Sequence, residues 1–89
     1  MKIYAVIESY QDYKVADATL WGVSKTREKA LARLKEAIEE RYEYIREDKE
    51  DDEWEQFIGA GFVNEDMWGY DDGDTVTRFY IETAELEED

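Results

Sequence analysis

Leu31, Leu34, Ile38, Tyr42 and Ile45 recur at offsets of three, four, four and three. That spacing puts all five on one side of an α-helix. The chain has no proline, so no residue of the type that breaks helices interrupts the pattern. Ser24 or Thr26 can cap the helix by accepting a backbone N–H. The pattern predicts a helix from about residue 26 to about residue 49, ~36 Å long. Ala30 and Ala37 flank the stripe and permit close packing on a sheet. A strand of about eight residues spans only ~27 Å, so the last turns of the helix are expected to overhang.

Strand patterns lie on either side. Residues 2–10 alternate Ile3, Ala5 and Ile7 with Tyr4, Val6 and Glu8, apolar on both faces at the start, as in a central strand. Residues 11–17 are polar enough to be a connection. Residues 18–24 form a second strand, with Leu20 and Gly22 on one face and Thr19, Trp21 and Val23 on the other. The two read as a β-hairpin. Trp54, Phe57 and Ile58 stand at helical spacing in residues 52–58, a short second helix ended by Gly59 or Gly61 as C-cap. Residues 66–70 and 75–86 read as another hairpin, turning through Asp71-Asp72-Gly73-Asp74, because Asp-Gly favours such turns. Phe79 and Ile81 share one face of its last strand, Val76 and Tyr80 the other. The expected fold is α+β in the order ββα(α)ββ. It has a four-stranded, mainly antiparallel sheet with one long helix packed on one face. One domain spans residues 1–89, with residues 84–89 as a fraying acidic tail. The three tryptophans and seven tyrosines are expected to fill the core of so small a domain. Trp68 and Tyr70, beside the Asp-rich turn, are the expected exceptions.

A mean hydropathy of -0.82 and a net charge of -14 approach the composition of disordered chains. The 15% aromatic content and the periodic apolar residues point instead to a packed domain. The charge is uneven. Residues 1–46 hold nine Lys+Arg and eight Asp+Glu, a net of +1, and residues 47–89 hold two and seventeen, a net of -15. The densest run is Glu47, Asp48, Glu50, Asp51, Asp52, Glu53 and Glu55. On a helix reaching residue 49 these acids crowd its C-terminus, where the backbone dipole favours cations. Lys25, Arg27, Lys29 and Arg33 crowd the N-terminus, where acids are preferred. Residues that break a local rule without compensation are candidates for function. The plainer reading is a solvated surface that keeps the chain soluble.

Chemistry is sparsely represented. The chain has no histidine and no cysteine, which removes the usual zinc ligands, the commonest general base and any thiolate or disulfide. Placing Gly73 at the sixth position of a calcium-binding loop would put Trp68 first and Phe79 last, which fails the EF-hand pattern. There is no Gly-rich phosphate loop and no serine nucleophile motif. With twenty-five acids, any one carboxylate pair is uninformative. No apolar run is long enough to span a membrane, and no signal peptide is visible. The expectation is a cytoplasmic protein that is not an enzyme and has no cofactor, metal or membrane association. Direct binding to nucleic acid is opposed by its charge.

The opening KIYAVIESY and the junction Gly22, Val23, Ser24, Glu28, Lys29, Ala30 resemble short proteins of phages and mobile elements that share a ββα start. That resemblance covers the first half of the chain and implies a fold and a phage-type origin, not an activity. In charge alone, the second half is similar to the DNA-mimic inhibitors of phages, anti-CRISPR proteins among them. The expected function is an acidic protein-binding module that inhibits a basic nucleic-acid-binding or defence protein. Glu47, Asp48, Glu50, Asp51, Asp52, Glu53, Asp71, Asp72 and Asp74 would form its contact surface. The alternative is a structural or regulatory module, homodimeric in one version, whose acidity serves solubility.

Overall fold

The computed structural model describes residues 1–86. Strands β1 (Lys2–Gln11) and β2 (Ala16–Ser24) form the first hairpin. Helices α1 (Arg27–Arg41), α2 (Glu43–Arg46) and α3 (Asp51–Gly61) follow, then strands β3 (Phe62–Asn64), β4 (Met67–Asp71) and β5 (Val76–Glu85). The sheet has five strands, not the four expected, in the order β2-β1-β5-β4-β3, and every pairing is antiparallel. The extra strand, β3, is three residues long, too short to show alternation. Pairing of β1 with β5 continues to Lys2 opposite Glu85, so Ala84 and Glu85 do not belong to a frayed tail. Residues 87–89 of that expected tail lie outside the described residues.

The single long helix is a second correction. Thr26 caps α1, its Oγ1 accepting the Lys29 N–H at 3.3 Å, but the helix stops at Arg41. Tyr42 leaves helical geometry (φ -112°, ψ 21°). Its ring lies 5.2 Å from Trp68, 5.5 Å from Tyr70 and 5.7 Å from Phe57. No glycine or proline marks the break. Burial of one large ring pulls the chain inward where a straight helix would run past the sheet. The described chain then turns through α2 into α3, which packs back over β4.

The core lies between the helices and one face of the sheet. Val6, Ala30, Leu34, Ala37, Ile38, Tyr42, Trp54, Ile58, Trp68 and Phe79 are all buried. Leu34 and Ile38 of the stripe are in it, whereas Leu31 and Ile45 are half-buried. Trp68, expected to stay near the surface, is fully buried and donates its indole N–H to the Ile58 carbonyl at 2.8 Å. Tyr70 is half-buried within the same aromatic cluster. Neither Gly59 nor Gly61 is a left-handed cap. Among the described residues only Gly73 has positive φ, 97°, in the turn that Asp-Gly predicted. α3 passes directly into β3 through an extended Phe62. Gly61 serves packing instead, because a Cβ there would overlap the Nε1–Cε2 edge of the Trp68 ring.

The face assignment in β2 also changes. The register slips between Val6 opposite Gly22 and Ile7 opposite Leu20, so Trp21 is the extra residue of a β-bulge. Both Trp21 and Gly22 therefore turn to the helix side, while Leu20 and Val23 face out. The bulge is braced by Arg33, whose Nε donates to the Trp21 carbonyl at 2.9 Å and whose guanidinium lies 5.7 Å from the ring.

Candidate functional site

The acids of residues 47–53 follow the end of α1, whereas Glu65 and Asp66 lie at its start beside Arg27. Tyr42 and Phe57 both pack on Tyr70, the residue before Asp71. The 47–53 segment and the β4–β5 turn consequently lie at the same end of the sheet. An open groove of about 650 Å³ occupies the helix layer there. Glu36, Glu39, Glu40, Glu43, Glu47 and Asp51 line it with Arg46 and Lys49.

Several of the expected contact acids have work in the fold. Glu50 and Glu53 form a reciprocal capping box at the start of α3, the Glu50 N–H donating to Glu53 Oε1 at 3.3 Å. Asp51, Asp52 and Glu53 occupy the first turn of that helix, where the dipole favours acids. The supposed conflict with the helix dipole thus disappears for residues 50–53, because a new helix begins where one was expected to end. Asp71 Oδ1 accepts the Gly73 N–H at 2.9 Å. Asp72 Oδ1 accepts the N–H groups of Asp74 and Thr75 at 3.0 and 2.8 Å. These bonds hold the Asp72 carboxyl below its ordinary range, the Thr75 bond most of all. Glu47 and Asp48 follow the last turn of α2, exposed and without a hydrogen bond or ion pair from their side chains among the described residues.

Two basic residues near the start of α1, Arg27 and Arg33, likewise have partners. Arg27 reaches Glu65 at 2.8 Å and Asp66 at 3.4 Å, which raises its already high pKa, the Glu65 hydrogen bond contributing most. Arg33 pairs with Glu36 at 3.2 Å besides bracing the bulge.

Glu36, Glu39, Glu40 and Glu43 line the groove and escaped the sequence reading. Their signal was present, since 36, 40, 43 and 47 repeat at offsets of four, three and four. It was hidden by counting charge along the chain, which assigned them to a half with a net of +1.

One buried carboxylate stands apart. Glu8, 7% exposed on the core face of β1, accepts the Trp21 indole N–H at 2.8 Å and the Arg41 Nε–H at 3.3 Å. Burial works to lower the Arg41 pKa, but the Glu8 charge and hydrogen bond outweigh it and the guanidinium stays above its ordinary value. With its bonds satisfied, this trio ties β1, β2 and α1 together. Burial also pushes the Tyr42 phenol up, with a Thr77 hydrogen bond working the other way.

Among the described residues no group of three or more acids is placed to hold a metal ion, and no helix is long and apolar enough to cross a membrane. No family model, curated protein or solved structure matches this chain.

Proposed function

We propose that this chain is an acidic protein-binding module whose groove at the end of α1 receives a basic surface, that of a nucleic-acid-binding or defence protein. The observation carrying this reading is the set of carboxylates Glu36, Glu39, Glu40, Glu43 and Glu47 that line one groove. Glu36, Glu39 and Glu40 stand on α1, Glu43 opens α2 and Glu47 follows it, so five carboxylates face one groove across the break at Tyr42. Carboxylates would stand where phosphates bind. Steering by the -14 charge would speed association and make it salt-sensitive. A phage-type inhibitor acting in the cytoplasm is one form of the reading, its origin drawn from the resemblance and its inhibitory role from the charge alone. Glu47 and Asp48 remain the leading contact residues of the original set, joined by Glu39 and Glu43. Glu50 and Glu53 contribute through the cap they form.

The test is binding to a panel of basic DNA- and RNA-binding proteins, with a basic protein that binds no nucleic acid as control. The reading expects association that duplex DNA displaces and that weakens steeply with salt. Changing Glu39, Glu43 and Glu47 to Gln and Asp48 to Asn should leave the fold intact and lower the association rate. Equal binding of the neutralised variant at low salt refutes the reading.

A further inference from the structure

The core cluster contains residues of only one face of the sheet. Val6, Phe79 and Trp68 are buried in it, and Tyr4, Trp21, Phe62, Tyr70 and Ile81 pack against it. Among the described residues no helix lies over the opposite face. Antiparallel sheets with one open face normally alternate apolar inward and polar outward, yet β1 presents Ile3, Ala5 and Ile7 outward. The register aligns Leu20, Ile7, Tyr80 and Met67 in one row across four strands, and Leu20 is 62% exposed. In a chain that is 40% charged, the charged residues at the outward positions of β2, β1, β5 and β4 are Arg78, Glu82 and Asp71.

We propose that a second copy of this chain covers this face, sheet against sheet. The charges favour that occupant. Arg78 lies two residues before Tyr80 and Glu82 two after it, on the same face of β5. Both are exposed, and neither makes an ion pair among the described residues. A two-fold axis along the Leu20–Met67 row reverses the strand direction of the second copy. The apolar row then meets itself, and Arg78 of each copy faces Glu82 of the other, so the surface is self-complementary as an isologous interface must be. Twisted sheets stack at about -30°, which preserves this match near the axis. The acidic groove lies on the helix side. Layers ~10 Å apart put the two helix layers ~30 Å from each other, several Debye lengths at ~0.15 M salt. The large net charge therefore does not oppose this mode of pairing strongly. Four strands and about eight residues of length cover ~500 Å² per copy. The total of ~1,000 Å² sits at the lower limit of specific interfaces, which fits a roughly micromolar dimer.

Sedimentation equilibrium of the full chain at roughly 1–500 µM tests this, with circular dichroism to verify folding of each variant. The wild-type chain should dimerise. Arg78→Glu and Glu82→Arg each place two like-charge pairs in the interface and should weaken dimerisation by ~100-fold or more. Mixing those two variants, or combining both changes in one chain, should restore it. Leu20→Asp, at the exposed end of the row, should also give monomers. A wild-type chain that stays monomeric overturns the proposal. So does a dimer indifferent to the two charge reversals, which would use another surface.

Discussion

Gly59 and Gly61 lie two residues apart in the same helix, and the same substitution should have opposite effects at the two. A Cβ added at Gly59 meets nothing within 4 Å. Gly59→Ala therefore gains only helix propensity and should stabilise the fold by ~0.5–1 kcal/mol. At Gly61 the added carbon overlaps the Trp68 indole. That ring has no room to retreat, since Tyr42, Phe57 and Phe79 stand 5.2, 5.9 and 5.9 Å from it. Overpacking a closed core costs ~1–3 kcal/mol. Displacing the indole also breaks its buried bond to the Ile58 carbonyl, another ~1–3 kcal/mol. After the gain in propensity is subtracted, Gly61→Ala should destabilise by ~1–5 kcal/mol. A domain of this length has only ~4–13 kcal/mol in total, so the loss is a large fraction of its stability. The thermal midpoint should fall by ~5–25 °C for Gly61→Ala and rise by a few degrees for Gly59→Ala. Urea unfolding followed by tryptophan fluorescence, together with thermal melts, measures both. Equal or greater stability of Gly61→Ala would refute the placement of Trp68 over that glycine.

Leu34→Ala should cost ~2–5 kcal/mol, since it empties volume in the closed space under α1; a loss below ~0.5 kcal/mol in denaturant unfolding would be that of a surface residue. Arg41→Met removes the partner of the buried Glu8 carboxylate and should cost ~1–3 kcal/mol, less than for a wholly buried pair because Arg41 is 35% exposed. For the wild type, the midpoint should rise with salt and on mild acidification, as carboxylate repulsion is screened or neutralised. The direction should reverse below about pH 4. Asp12 and Asp72 are held below their ordinary value of 3.8 by the backbone N–H groups they accept. The stability they confer is present above that value and is lost as pH falls through their folded pKa. A midpoint flat across both titrations would remove self-repulsion as a significant effect.

The order of the two hairpins and the helices between them could be read from residue spacing, because hydrophobic periodicity and the Asp-Gly turn are local signals. Thr26 as cap, Leu34 and Ile38 as core, and the positive φ of Gly73 all follow from residues within a few positions of one another. The end of α1 was not legible, because Tyr42 continues the helical stripe perfectly and departs from it only to reach Trp68 and Tyr70, residues distant in sequence. The roles of Glu50 and Glu53 follow from that break, since acids that seem to crowd a helix end become the cap of the next helix. The bulge at Trp21 was equally hidden. Period-two alternation assigns faces only while no residue is inserted, and the strand opposite decides whether one is. The acidic groove required tertiary structure as well, because it joins the wall of α1 to the start of α3, while charge counted along the chain separates them. The double-sided apolar pattern of β1 was plain from its residues. That the helices cover only one of those sides, leaving Ile3, Ala5 and Ile7 facing out, was decided by how the helices dock, which no local pattern records.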